Sequence, residues 1–600
     1  WIPSGQQSLM RDGYFLPKKS VQLFGNQILE STIEYDDSEG SKLLMKKATD
    51  ALGNEVIVAT NDWVTMQPLE IIDPNKNRSK VAFDALSLVA ASGVVEVDGS
   101  GNIINGDALE QFTPLWEYDN CIPYTDAPYG VANDGRNYLQ DASTAMIYDL
   151  WATLRKGQAE PPTVFSMARE THQYVDGIER SAPVVQRQLM YFDGLGREVQ
   201  TKIEAADDPQ TGANRWIGSG WKIYNNKGKV VRQFEPFYTD QAEYEDIYER
   251  AVDGAFGVSP IIFYDPLERV VATIHPDGSF EKVEFDAWSQ RTYDRNDTLN
   301  WNPDAEAYIA AWRAVNTGFT TWKQRIDSSD AAQQAALQKT AVHADTPTTA
   351  YLDSLGRPFL TVAQNRTELN AAVENFETRV NLDIQGNDLD ISDPRGNTLF
   401  FHTFNMLQQQ FVVNSLDAGA KRALMTIDEQ PYWSIDARGT IVEPKYDDLR
   451  RPIESWVTPM GEEDARFLAV KTTYGKDNNE LAASNNEIGQ VIEIQDQAGI
   501  IKNTCFDFKG NVQVTERQLW DNYIDHIDVS QSNAILEAGK NTYTSSSAFD
   551  GLNRVIESTA PDGSVFRPRY NKTNQLESLS VDLANGSTSQ FVEQIDYNAR

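Results

Sequence analysis

The chain has 600 residues, 40% hydrophobic and 24% charged, enough for roughly three to five domains or for one architecture built by repetition. Its 53 basic and 88 acidic residues leave a net charge of −35, which disfavours a large nucleic-acid footprint or binding to anionic lipid, since both are polyanions. Apolar runs such as Val94-Val95 or Val270-Val271-Ala272 fall far short of the ~18 residues of a membrane span, and 10% aromatics exclude general disorder. Two cysteines, Cys121 and Cys505, suffice neither for a disulfide framework nor for a four-thiolate zinc site, and leave the redox compartment open.

In chain order, residues 1–110 read as short β-branched runs joined by turns at Asp50, Asp73 and Asp84. Residues 111–160 break that pattern as an irregular and helical insertion. Within it, 111–136 has no period and reads as loop, while Leu139–Lys156, with Met146, Leu150 and Leu154, reads as a helix. Turns and strands return over 161–300. Residues 301–345 change character again: Pro303-Asp304 opens a stretch with Tyr308, Ile309, Trp312 and Val315 at helical spacing. An Ala/Gln-rich run from Ala331 to Ala341 follows Ser328-Ser329-Asp330, a candidate N-cap. This predicts a helical hairpin inserted between strands. The turn-and-strand pattern then runs through 346–600, and the whole reads as one continuous architecture rather than separate domains.

One motif carries that pattern. An aromatic or aliphatic residue precedes Asp or Asn; two variable residues, often Gly, and then Arg, Asn or Lys follow, ahead of a β-branched run. The clearest copies are Asp193-Gly194-Leu195-Gly196-Arg197, Asp265-Pro266-Leu267-Glu268-Arg269, Asp353-Ser354-Leu355-Gly356-Arg357, Asp393-Pro394-Arg395-Gly396-Asn397 and Asp550-Gly551-Leu552-Asn553-Arg554. Weaker ones start at Asp50, Asp73, Asp84, Asn225, Asp286, Asp383, Asp436, Asp447, Asp496, Asp507 and Asn571. Neighbouring copies often lie 10 or 11 residues apart, as from Asp383 to Asp393 and from Asp73 to Asp84, which leaves room for one strand. Asp in first place accepts hydrogen bonds from N–H groups two residues on; Pro in second place suits a type I turn. Gly in fourth place supplies the left-handed residue of a G1 bulge. The bulk of the chain is therefore antiparallel β built from hairpins. Repetition assigns the Asp to structure, since a catalytic residue is needed once.

Other candidate chemistry is thin. The histidines, His172, His275, His343, His402 and His526, share no metal-ligand spacing. Asp98-Gly99-Ser100-Gly101-Asn102-Ile103 starts like a calcium loop but has Ile103 where Gly is required and Leu109 where the bidentate Glu belongs, so it reads as a Gly/Asn-rich hairpin loop. No nucleophile elbow, phosphate loop or dinucleotide fingerprint is present, and no cofactor or metal is predicted.

The recurrent Tyr-Asp-x-x-Gly-Arg resembles the repeat of Rhs/YD-repeat proteins. Longer blocks narrow the resemblance: Arg215 to Lys229, with Trp216, Gly218, Gly220 and Trp221; Gly257-Val258-Ser259-Pro260 with Phe263-Tyr264-Asp265-Pro266; and Ala341-Val342-His343-Ala344-Asp345-Thr346-Pro347 running into Asp353. Together they resemble the middle and C-terminal part of the B component of bacterial insecticidal toxin complexes (the TcdB/SpvB-related proteins), over essentially the whole chain. Ser87, Glu268 and Asn553 depart from the repeat's Gly.

The resemblance implies a mainly β fold, a YD-repeat antiparallel sheet spiralling into a hollow Rhs-type shell with small helical insertions. It implies a structural, non-enzymatic role: encapsulating a cytotoxic C-terminal polypeptide before translocation. The implied partners are a C component or downstream Rhs region that completes the shell, the enclosed toxin, and a pore-forming A component reached through an upstream propeller. The chain opens on Trp1-Ile2-Pro3 without a targeting signal and stops at Arg600 inside a repeat, so it reads as a segment of a longer polypeptide. The self-cleaving protease site and the toxin of the family would follow it, and no catalytic residue carries over. The implied location is extracellular, after synthesis in the cytoplasm. An adhesive or contact-dependent-competition YD-repeat protein, and a carbohydrate-binding or carbohydrate-active β protein, are the alternatives.

Overall fold

The computed structural model describes residues 6–10, 15–24, 27–37, 43–114, 136–156, 160–180, 184–245, 258–300, 302–327, 331–461, 465–476, 480–522, 524–531 and 542–599. Cys121, the Ser328–Asp330 cap, both chain ends and most of the segment read as loop (115–135) lie outside the described residues. Strand accounts for 49% and helix for 8% of the chain, so the protein is mainly antiparallel β. It divides into two compact units. Unit 1 comprises residues 1–218, 238–246 and 441–600; unit 2 comprises 219–237 and 247–440.

Unit 1 holds two runs of antiparallel strands. In the first, strands meander from Gln6–Met10 to Ile103–Gly106, each hydrogen-bonded to the one before it. Thr144–Asp149 then pairs with Val89–Val97, and Thr163–Arg169, Val185–Phe192 and Glu198–Ala205 extend the sheet. Its core gathers Leu139, Ile147, Phe165, Leu189, Tyr191 and Trp216. The second run, from Ile441–Tyr446 to Thr588–Val592, is an unbroken sequential meander with a smaller core of Leu468, Trp520 and Val529.

The segment 139–156 corrects the sequence reading. A strand occupies its middle, with helix confined to Arg136–Leu139 and Ala152–Lys156. Ala145, Ile147 and Asp149 are buried in alternation, whereas Leu150 and Leu154, which suggested a helix, are exposed. The two-residue period decides the structure because this strand lies between two others.

Unit 2 is a single sequential meander, from Lys222–Tyr224 to Pro431–Ile435. Residues 303–343 interrupt it with the α-helices Ala307–Val315, Trp322–Asp327 and Ala331–Thr340. Ile309, fully buried, packs with Ala272, Ile274 and Phe280 of the sheet, and Trp312 and Phe319 cover the contact. Leu337 joins Leu299 and Ala344 in a second cluster. The insertion is therefore fastened to the sheet by a few apolar residues, since the Ala/Gln-rich helix is otherwise exposed.

Ile309→Ala should cost about 2–5 kcal/mol, the transfer term plus the cavity left behind. Limited proteolysis should then cut first within 303–343 while the strands stay protected. Equal protection of the insertion in the variant and the parent would show that Ile309 does not anchor it.

Candidate functional site: the turn edge and its seam

At Asp193 one carboxylate organises five residues. Oδ1 accepts the N–H groups of Leu195 at 2.9 Å and Arg197 at 3.0 Å, and Oδ2 accepts Arg197 Nε at 2.7 Å. The backbone closes the same loop: Gly196 N–H donates to Asp193 O at 3.0 Å and Asp193 N–H to Arg197 O at 2.9 Å. Gly196 sits at φ +75°, and the strand register shifts beside it, as a G1 bulge requires. Leu195, at the tip, is 79% exposed.

The other strong copies repeat this geometry. Arg269, Arg357 and Arg554 each bring Nε to 2.7 Å from the Oδ2 of Asp265, Asp353 and Asp550. At Asp393 the fifth residue is Asn397, whose Nδ2 donates to Oδ2 at 3.0 Å while Gly396 takes φ +84°. Gly356 lies at φ +77°. Where Gly is replaced the backbone keeps its conformation: Ser87, Glu268 and Asn553 lie at φ +64°, +66° and +62°. Two of the weaker copies differ. Asp286 and Asp496 cap two-residue hairpins, accepting the N–H groups of Trp288 and Ser289, and of Ala498 and Gly499.

The loop at Asp98, read as a Gly/Asn-rich hairpin loop, is a turn of the same form, and others lie outside the motif. Asp98 closes on Asn102 by the full pattern, which is what the apparent calcium loop is. His275, Ala560 and Leu583 also open five-residue turns, but there the cap comes from the third position: Asp277, Asp562 and Asn585 accept the N–H of Ser279, Ser564 and Ser587.

The electrostatics follow from these bonds. Arg357 holds the Asp353 carboxyl below the usual range, and Asn387 and Asn397 do the same for Asp383 and Asp393. At Asp193 burial pushes the carboxyl up, but the bonds from Arg197 and Leu195 outweigh it. At Asp73 burial wins and the carboxyl is raised.

The aromatic that precedes the Asp acts between turns. Tyr264 donates its hydroxyl to Val230 O at 2.8 Å, the residue just past the Asn225–Lys229 turn. Tyr570 does so to Val555 O at 3.0 Å, past the Asp550–Arg554 turn. The guanidinium in fifth place lies over the same kind of ring: Arg269 over Phe285 at 4.1 Å, Arg451 over Tyr474 at 4.0 Å, Arg554 over Tyr570 at 4.8 Å. Successive turns on one sheet edge are thereby tied into a ladder.

In unit 1 a ladder of this kind seats on the other sheet. Gly551 N–H donates to Glu170 O at 2.7 Å, and Arg554 reaches Glu170 Oε2 at 2.8 Å across 384 residues of sequence. Lys572 pairs with Glu204 at 3.0 Å and Asp207 at 2.8 Å. Asn77 meets Asn486 at 2.8 Å in a buried contact, and Asn75 exchanges two bonds with Ile488. This seam is polar. Crevices of about 460 Å³ and 450 Å³ open along it, the first lined by His172, Cys505 and Phe508, the second by Tyr238, Tyr570 and Lys572.

His172 belongs to the seam's most buried polar group. Its Nδ1 lies 2.8 Å from Asp107 Oδ2, which also accepts Ser143 Oγ at 2.6 Å; Arg169 is 3.2 Å from Oδ1. Burial pushes the Asp107 carboxyl up, but His172, Ser143 and Gln173 outweigh it and hold it low. Serine here donates to the carboxylate, so the three do not form a nucleophile–base–carboxylate relay. Cys505 bonds Gln513 at 3.1 Å, and burial raises its thiol. The group is a structural clasp. His275, His402 and His526 lie apart, beside Glu281, Asp388 and Phe467.

No protein-family model matches the sequence, and no curated protein does. Solved structures do. The crystal structure of TcdB2-TccC3 superposes over 99% of this chain with a TM-score of 0.78 at 18% identity. This chain shares the TcdB2-TccC3 fold. The form of TcdB2-TccC3 without its hypervariable C-terminal region matches at 0.76, and the Photorhabdus luminescens Tc holotoxin pore at 0.78, each at 18% identity and 99% coverage. This chain spans 28–30% of the length of those chains.

Gly196→Val and Gly356→Val should each destabilise by about 1–3 kcal/mol, because a β-branched residue resists positive φ. No atom lies near enough to clash with an added Cβ at either site, so the cost is conformational alone. Leu195→Ser should leave the denaturation midpoint unchanged. Unchanged midpoints for both valine variants would remove the bulge as a stabilising element.

Proposed function

We propose that this chain is wall: part of the shell by which a bacterial toxin complex encloses a cytotoxic polypeptide before delivery. The observation that carries the reading is the match to TcdB2-TccC3 over 99% of the chain, at a TM-score of 0.78. The physical design agrees with it. A sequential meander closed by short, self-satisfied turns extends by repetition, and its turn edge can seat on a neighbouring sheet, as it does at Glu170 and Asn77. Among the described residues no helix is long and apolar enough to cross a membrane.

On this reading the segment is structural rather than catalytic. A C component or downstream Rhs region completes the wall, a toxin polypeptide lies inside, and a pore-forming A component receives the particle through an upstream propeller. The particle acts outside the producing cell.

The test is electron microscopy and proteolysis of the complete polypeptide that contains these residues, co-expressed with its completing Rhs-type chain. A closed hollow particle, with the toxin segment protected from protease until the shell is denatured, is expected. A particle without a lumen, or a toxin segment digested as fast as the free polypeptide, would overturn the reading.

A further inference from the structure

In unit 2 the turns at 265–269, 286–289, 353–357, 383–387 and 405–409 join successive strand pairs of one antiparallel meander, which places them on one edge of the sheet. Their tips are apolar and exposed: Leu267 73%, Trp288 61%, Leu355 69%, Ile384 90% and Met406 88%. At two strand widths per step the row runs about 40 Å. Five-residue turns on the opposite edge carry Pro276-Asp277, Pro394-Arg395 and Ala437-Arg438 instead; its exposed apolar residues, among them Val315, Leu369, Val373 and Leu416, lie in the helical insertion and in irregular connections rather than at turn tips. Turn geometry explains Asp277, which caps its own turn, but not Arg395 or Arg438, which stand where Leu267 and Leu355 do while the cap comes from Asp393 and Asp436. A contiguous apolar row on one edge marks an interaction surface.

The tips are also held in place before anything binds. Lys227 Nζ donates to Pro266 O at 3.0 Å, Arg269 lies over Phe285, Leu352 N–H donates to Trp288 O at 2.7 Å, and Arg357 reaches Asp383 O at 3.2 Å, so the first four turns of the row are tied to one another. Little ordering cost remains to be met on association.

Unit 1 shows what such an edge takes as a partner. The turn 550–554 seats on the end of strand Thr163–Arg169 through Gly551 and Arg554, and Leu552, in the position of Leu267 and Leu355, is half-buried there. The occupant of a turn edge in this protein is the strand ends of another antiparallel sheet of the same kind. We propose that the tips Leu267, Trp288, Leu355, Ile384 and Met406 of unit 2 form a docking ridge for the sheet edge of a second Rhs-type chain. The assignment rests on the encapsulation reading, and it specifies which edge of the wall the completing chain covers.

Trp288 and Met406 are readily oxidised, which makes hydroxyl-radical footprinting the direct test. The 600-residue chain alone is compared with the assembled particle that includes the completing Rhs-type chain. Oxidation at Trp288 and Met406 should fall roughly fivefold or more in the particle, as expected where an interface core excludes water. Leu355→Arg with Ile384→Arg should cut recovery of the particle while leaving the chain's own denaturation midpoint unchanged, because both side chains face solvent. A particle in which Trp288 and Met406 oxidise as fast as in the free chain overturns the ridge and leaves the shell reading standing. Protection that appears when the chain alone is concentrated assigns the ridge to a second copy and overturns the proposal. Failure to obtain any particle removes both.

Discussion

The structure depends on one side chain doing two things at the corner of each hairpin that carries the repeat motif in full. An aspartate Oδ1 takes two backbone N–H groups that would otherwise be unsatisfied in a tight turn, and its Oδ2 takes the side chain in fifth place. With both oxygens occupied the loop length is fixed, and with it the register of the two strands. Since a slip of one residue would exchange the faces of a strand, fixing register locally is what lets a meander of many strands form without ambiguity. Arginine in fifth place adds reach: its free face covers the aromatic that opens a neighbouring turn, so local closure is passed along the edge.

This design also explains how so large a sheet can be made with so small a core. Most strand residues of unit 2 are half-buried or exposed, and the buried hydrophobic clusters are few. Stability that a globular domain draws from a central core is spread here over ladders, clasps and cross-strand pairs. Where sheets meet in unit 1 the contact is again polar, with Asp107, His172 and Arg169 buried at its centre.

Much of this was legible in the sequence because the turn is written in five consecutive residues. Asp193 to Arg197 names its own geometry. The turns at His275, Ala560 and Leu583 were not legible, because the capping carboxylate or amide moves to the third position and the first becomes variable. The strand at Thr144–Asp149 was hidden by Met146, Leu150 and Leu154, whose four-residue spacing imitates a helix although two of the three are exposed. The seam was beyond reach for another reason. Its contacts join Asn75 to Ile488 and Lys572 to Asp207, 413 and 365 residues apart, and no local pattern announces them. The apolar tips could be read as residues, but that Leu267, Trp288 and Ile384 share an edge follows only from the strand order.

The carboxylate clasp makes a statement about protons that can be measured directly. A carboxyl bound in its charged form titrates below its ordinary value of about 3.9, contributes stability above that pH, and loses the contribution as the pH falls through the lowered midpoint. The decisive measurement is a carboxyl-carbon NMR titration of the folded chain with labelled aspartate, resonances being assigned by single Asp→Asn variants. Asp353, Asp383 and Asp393 should titrate below the ordinary value, and Asp73, where burial prevails, above it. Ordinary midpoints at Asp353, Asp383 and Asp393 in the folded protein would contradict the account, since the turns would then be closed by the backbone alone.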